Sequence, residues 1–201
     1  MPSISLKIGE KAQKLSSLPG AEREALKIAK LFNNQALLGS QATETAIKSQ
    51  LPKADIIHLA THGLLDYGQL QGQVRQGVPG AIALAPDGKE DGLLTSDEIL
   101  DLNLKASLVV LSACDTGRGD ITSDGIIGLS RSFITAGTPS IIVSLWSIPD
   151  APTADLMKAF YLQLQQNPDK AQALRQAMLT IMKQRSHPKD WAAFTLIGEA
   201  E

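Results

Sequence analysis

Ser107-Leu108-Val109-Val110-Leu111-Ser112, continuing into Ala113-Cys114-Asp115-Thr116-Gly117, is the stretch on which the fold turns. Its apolar residues run without alternation, as in a strand covered on both faces, and the polar, glycine-bearing stretch Asp115 to Gly119 bounds it. Two similar runs stand on either side. Asp55-Ile56-Ile57-His58-Leu59-Ala60 lies between Pro52 and the turn Thr61-His62-Gly63, and Ser140-Ile141-Ile142-Val143-Ser144-Leu145 follows Gly137-Thr138-Pro139. Between and around these runs the apolar spacing becomes helical. Ala25, Ile28, Ala29 and Phe32 mark a helix over Ala21 to Phe32, and Ile126, Leu129 and Phe133 mark one over Gly125 to Ala136. Further helices are expected over Thr43 to Gln50, over about Thr153 to Gln165, and from Asn167-Pro168-Asp169, with Asn167 as cap and Pro168 at the first helical position.

The remaining stretches are shorter. Leu93 to Leu100 reads as a short helix capped by Thr95 or Ser96, Ala81 to Ala85 as a short strand, and Trp191 to Ile197 as an edge strand or a final packing segment. Residues 63–80, rich in glycine and glutamine, read as a mobile loop, and residues 1–17 as a poorly patterned lead-in. Strands alternating with helices predict an α/β fold, a mainly parallel sheet between two helical layers. We expect a single domain over residues 1–201.

Composition narrows the function classes. With 201 residues, 43% of them hydrophobic, the chain can bury its own core. A formal net charge of −2 with scattered Lys and Arg offers no basic patch for nucleic acid and no polybasic tract for a membrane surface. No apolar run approaches the roughly 18 residues of a membrane span. One cysteine cannot close an intrachain disulfide, and Met1-Pro2-Ser3-Ile4-Ser5-Leu6 lacks the regions of a signal peptide, so a reducing, cytoplasmic location is expected.

In open α/β sheets, sites form beyond the carboxyl ends of strands. Two such ends carry reactive side chains, His62 after the strand ending at Ala60 and Cys114 after the strand ending at Ser112. If those strands are neighbours, the two residues sit side by side. A thiolate is the nucleophile of cysteine chemistry, and an imidazole beside it takes the thiol proton or lowers its pKa. Attack on a peptide carbonyl builds an oxyanion that needs donors already in place, and the backbone N–H groups of Gly63 and Cys114 are the candidates. Glycine after the histidine lets the backbone approach the substrate without a Cβ. Asp115 opposes a thiolate by charge. Each residue alone also fits a plainer reading, a small buried hydrophobe for Cys114 and a structural turn residue for His62.

His58-Leu59-Ala60-Thr61-His62-Gly63, Leu111-Ser112-Ala113-Cys114-Asp115-Thr116-Gly117 and Ser144-Leu145-Trp146 together resemble the CHAT domain, a caspase-like family often attached to tetratricopeptide repeats in bacteria. Leu18-Pro19-Gly20-Ala21-Glu22, Asp91-Gly92-Leu93-Leu94-Thr95, Gly128-Leu129-Ser130-Arg131 and Trp191 to Gly198 extend the resemblance over residues 18–198, in a style that looks cyanobacterial. The resemblance implies a three-layer caspase-like fold and a cysteine-peptidase (clan CD-type) dyad of His62 and Cys114, with oxyanion donors at Gly63 and Cys114. It also implies a substrate pocket at Ser112 and at Ser144, Leu145, Trp146 and Ser147, with Trp146 more a wall of the cleft than a core residue. Asp150 follows shortly after, as a selector of basic side chains or as a cap of the helix near Thr153. Family members usually carry more sequence before Leu18-Pro19-Gly20, including an early strand. Seventeen residues precede it here, and the expectation is an excised or truncated form with part of its cleft unbuilt.

The leading expectation is therefore an endopeptidase acting on a protein or peptide through a thioester. Its rivals are a catalytically silent scaffold that binds a partner, such as a tetratricopeptide-repeat region or regulatory protein, and a hydrolase or acyl transferase acting on a small amide. No cofactor is expected. His58 and His62 have the spacing of a helical zinc pair, but on a strand four residues span about 13 Å and no third ligand cluster follows. We therefore expect no metal, and a hydrogen-bonded structural role for His58. Arg118-Gly119-Asp120 reads as part of the loop after Cys114, where caspase-like enzymes are cut or rearranged.

Overall fold

The structure is a computed structural model in which residues 4–8, 11–64, 69–70, 73–74, 80–115, 123–146 and 150–201 are described. In chain order it forms β1 (Ile4–Ile8), β2 (Lys11–Leu15), α1 (Pro19–Leu31), α2 (Glu44–Gln50), β3 (Ile56–Leu64), β4 (Gln69–Leu70), β5 (Gln73–Val74), β6 (Ala81–Ala83), β7 (Leu93–Thr95), α3 (Ser96–Leu100), β8 (Leu108–Asp115), α4 (Ser123–Thr135), β9 (Ser140–Ser144), α5 (Asp150–Leu164), α6 (Lys170–Met182) and β10 (Phe194–Gly198). Six strands make one sheet in the order β10-β9-β8-β3-β6-β7. Its centre is parallel, through β3 with β8 and β8 with β9, and antiparallel strands β6, β7 and β10 flank it. This is a caspase-like α/β fold.

The two layers follow from the period of two along each strand. Ile57, Leu59, Val109, Leu111, Ile141 and Val143 share one cluster with Ile99 of α3 and with Leu129 and Phe133 of α4. Their neighbours Leu108, Val110 and Ile142 join Ile28 of α1, Leu156 and Phe160 of α5, and Leu174 and Ile181 of α6. Both faces are covered, which is why the sequence runs are apolar without alternation. Phe133 is fully buried, and its truncation to alanine would cost about 3–5 kcal/mol.

Several boundaries shift from the sequence reading. The strands carrying the two candidate residues run on, β3 to Leu64 and β8 to Asp115, so His62 lies inside a strand rather than in a turn, and Cys114 inside a strand rather than past its end. Leu93 to Leu100 divides into β7 and α3. Thr95 is the cap, and its side chain and that of Glu98 exchange hydrogen bonds with each other's backbone N–H in a capping box. Asp169 caps α6 in place of Asn167: its carboxylate accepts from Gln172 N at 2.8 Å, while Asn167 Oδ1 accepts from Asp169 N at 3.1 Å. Helix α5 begins at Asp150, three residues ahead of Thr153. Gly137 has a φ of +118°, and a Cβ there would meet Leu104 O at 2.5 Å, so the turn into β9 requires glycine. The stretch 63–80 contains the small hairpin β4–β5, and the lead-in contains the hairpin β1–β2. Residues 65–68, 71–72 and 75–79, and the loop 116–122 with Arg118-Gly119-Asp120, lie outside the described residues.

Candidate active site

In the parallel ladder between β3 and β8, His62 is the partner of Cys114, and Gly63 of Asp115. Neighbouring strands lie about 4.8 Å apart, so the two candidate residues are brought side by side near the carboxyl ends of both strands. The interval between them accommodates β6, β7 and α3 before the chain returns as β8. His62 is buried, at 4% exposure. Its Nε2 lies 2.8 Å from the carbonyl oxygen of Ser16. A carbonyl only accepts, so Nε2 carries the hydrogen, and in the neutral ring Nδ1 is the basic nitrogen. The hydrogen bond orients the ring. Ser16 was not among the sequence candidates. The contact comes from its main chain, so no residue type signals it.

The other predicted positions gather around the ends of β8 and β9. Ser112 pairs with Ala60 across the β3–β8 ladder and is 7% exposed. Ser144 closes β9, and its hydroxyl donates to Ala113 O at 2.8 Å, tying β9 to the residue before Cys114. Leu145 is more open, at 39% exposure, and its N–H donates to Ala193 O at 2.6 Å. Trp146, expected as a wall of the cleft, is half-buried against the α1–α5–α6 core, and its indole N–H donates to Lys189 O at 3.4 Å. The indole is thus partly a core side chain. Gly63 is buried in β3, paired with Asp115 on one edge and Ile82 on the other. Asp150 is the first residue of α5. Ser147 and the side chains of Cys114 and Asp150 lie outside the described set.

His58 lies on β3 four residues before His62 and does different work. Its Nε2 donates to Glu24 Oε1 at 3.0 Å, and its Nδ1 meets the Tyr161 hydroxyl at 3.0 Å. Glu24 and Tyr161 are buried, and burial, with the Glu24 charge adding, pushes the Tyr161 phenol well above its ordinary range. Tyr161 therefore keeps its proton and can donate it to the imidazole. The set ties α1, β3 and α5 together, and both His58 nitrogens are engaged in it.

A second polar cluster lies away from the strand ends. Lys48 Nζ sits 3.5 Å from Glu44, 2.9 Å from Glu90 and 3.1 Å from Glu98. Burial, then the Glu98 carboxylate, raise the Glu44 pKa to about 7. These carboxylates are arranged around the ammonium group, which supplies their positive charge. Among the described residues, no helix is long and apolar enough to cross a membrane.

Comparison with known proteins agrees with the motifs. The family model described as the CHAT domain matches residues 5–199. Tetratricopeptide repeat protein 28 of Mus musculus is 32% identical over 209 residues, an overlap covering 90% of this chain, and the Homo sapiens protein of the same name matches equally. That overlap spans 8% of the length of these relatives.

Proposed function

The chain belongs to the CHAT domain family, which is related to the caspase-like peptidases, and from that premise we propose that it is a cysteine endopeptidase domain working through His62 and Cys114. The observation that carries this reading is their direct pairing across β3 and β8.

The proposed steps use the chain's own groups. His62 Nδ1 takes the Cys114 thiol proton, and the sulfur attacks the scissile carbonyl carbon. The carbonyl π electrons move to oxygen, and the N–H groups of Gly63 and Cys114 receive the oxyanion. Collapse breaks the C–N bond, with His62 returning the proton to the leaving amine. Water, deprotonated by the same imidazole, then cleaves the thioester and restores the thiol. Ser112, Ser144, Leu145, Trp146 and Ser147 would border the pocket for the residue before the cut, with Asp150 selecting a basic side chain.

A reducing, cytoplasmic setting suits this role because the lone cysteine must remain a thiol. The matched relatives are named as tetratricopeptide repeat proteins, which supports a role in which such repeats bring protein substrates or regulatory proteins to this domain. One observation favours a catalytically silent scaffold instead: Asp115 adjoins Cys114 in the sequence, and a carboxylate there disfavours the thiolate.

A peptide-library digest with the wild type and Cys114→Ala separates the readings. Cleavage by the wild type alone supports the peptidase. Absence of cleavage by both, with and without candidate repeat regions added, supports the scaffold.

A further inference from the structure

Main-chain pairing between β8 and β9 ends before the site is reached. The ladder joins Val109, Val110 and Leu111 to Ile141, Ile142 and Val143 and goes no further. Beyond it the chain of β9 turns to its other neighbour, and the Leu145 N–H donates to Ala193 O at 2.6 Å on the β10 side. The Ala113 carbonyl lies past the last β8–β9 pair, and a side chain holds it there: Ser144 Oγ donates to Ala113 O at 2.8 Å. Ser144 is 7% exposed, so the bond is shielded from water. A serine hydroxyl has one proton to donate. With that proton committed to Ala113, Ser144 has no donor left for a substrate.

The carbonyl so held belongs to the peptide whose nitrogen is that of Cys114. The peptide is planar and trans, so its C=O and N–H point in opposite directions. Drawing Ala113 O toward β9 therefore turns the Cys114 N–H away from β9, to the side of β8 on which β3 lies. Gly63, the other proposed donor to the oxyanion, is on β3 as the ladder partner of Asp115. The same hydrogen bond polarises the amide, and a carbonyl that accepts strengthens the N–H of its own peptide as a donor. The Ser144 hydroxyl thus sets both the aim and the strength of the Cys114 N–H without touching a substrate.

We propose that Ser144 is a positioning residue of the oxyanion site, fixing the Ala113–Cys114 peptide through its hydroxyl so that the Cys114 N–H is in place before negative charge develops. The inference rests on the peptidase reading of His62 and Cys114. It gives Ser144 an effect felt only when the oxyanion forms, beyond bordering the pocket.

The test compares the wild type with Ser144→Ala on the fluorogenic peptide that the wild type cuts fastest in the library digest. Loss of the hydroxyl should lower kcat about ten- to hundred-fold and leave KM within about two-fold, because the bond matters in the transition state and not in substrate binding. Alkylation of Cys114 by iodoacetamide, which builds no oxyanion, should keep its wild-type rate. In NMR spectra of Ser144→Ala the Ala113 carbonyl carbon and the Cys114 amide should both shift. Ser144→Cys, which fills nearly the same space with a weaker donor, should give an intermediate kcat, and it takes the place of Ser144→Ala should that variant not fold. A raised KM with kcat unchanged would overturn the proposal and make Ser144 a substrate contact. Unchanged kcat and KM, an unmoved Ala113 carbonyl resonance, or a fall in kcat matched by an equal fall in alkylation would overturn it too. A wild type that cuts no peptide overturns the peptidase reading and this proposal with it, whereas a wild type that cuts, beside a variant that is no slower, overturns this proposal alone.

Discussion

The ring of His62 is held by a main-chain carbonyl, that of Ser16, 2.8 Å from Nε2. This hydrogen bond fixes which nitrogen can act as a base. The hydrogen resides on Nε2, leaving Nδ1 as the proton acceptor of the neutral ring. Long-range nitrogen–proton spectra above the ring's pKa should therefore show His62 as the Nε2–H tautomer. Ser16→Ala should leave the spectrum unchanged, because the contact is made by the backbone. A dominant Nδ1–H form would contradict the assignment.

The Glu24–His58–Tyr161 set is a structural clamp and stands apart from the proposed dyad. Tyr161→Phe removes the hydroxyl at 3.0 Å from His58 Nδ1 and leaves a buried ring nitrogen short of a partner. We expect a loss of about 1–3 kcal/mol in urea unfolding, with the m-value unchanged. Iodoacetamide should react with Cys114 at the wild-type rate in the folded variant. A stability change near zero would show that the bond contributes nothing net.

Glu44 gives the stability a pH dependence of definite sign. Its carboxyl, pushed up to about 7 by burial and then by Glu98, binds a proton in the folded chain that the unfolded chain has released above about 4.5. Its contribution is complete below about 4.5 and is lost as pH rises through about 7. The urea midpoint of the wild type should therefore fall between pH 5 and pH 8 relative to that of Glu44→Gln. A difference that stays flat, or grows in the wild type's favour, would contradict this.

Asp150 opens α5 just beyond the end of β9. In the peptidase reading it selects a basic side chain before the cut. Asp150→Asn should reduce the preference for Arg and Lys at that position in a peptide-library digest while cleavage persists. An unchanged preference would leave the carboxylate a role in the first turn of the helix.

The parts of this fold legible in the sequence are those where side chains decide. The apolar runs at Ile56, Leu108 and Ile141 mark β3, β8 and β9 because both faces of these strands are buried. Where backbone pairing decides, the reading falls short. Thr61-His62-Gly63 looks like a turn and Ala113-Cys114-Asp115 like the stretch just past a strand end, yet the ladder continues through both, since its hydrogen bonds do not depend on side-chain type. The alternation Ile4-Ser5-Leu6-Lys7-Ile8 is a strand signal, but a short one in a stretch otherwise without pattern. The Ser16 carbonyl leaves no trace in the sequence at all. Asp169 prevailed over Asn167 as the cap of α6 because Asn167 turns its side chain to Asp169 N instead. The positions of His62 and Cys114 were legible as strand-end residues, while their partnership required the register.

The central claim is that His62 and Cys114, opposite each other in the β3–β8 ladder, act as base and nucleophile. The rate of Cys114 alkylation by iodoacetamide at pH 7 tests it most directly, measured in the wild type, in His62→Ala and on a free thiol. An activated dyad predicts that the wild type reacts faster than the free thiol and that His62→Ala reacts more slowly than the wild type. Equal rates in the wild type and His62→Ala, both folded, would contradict it.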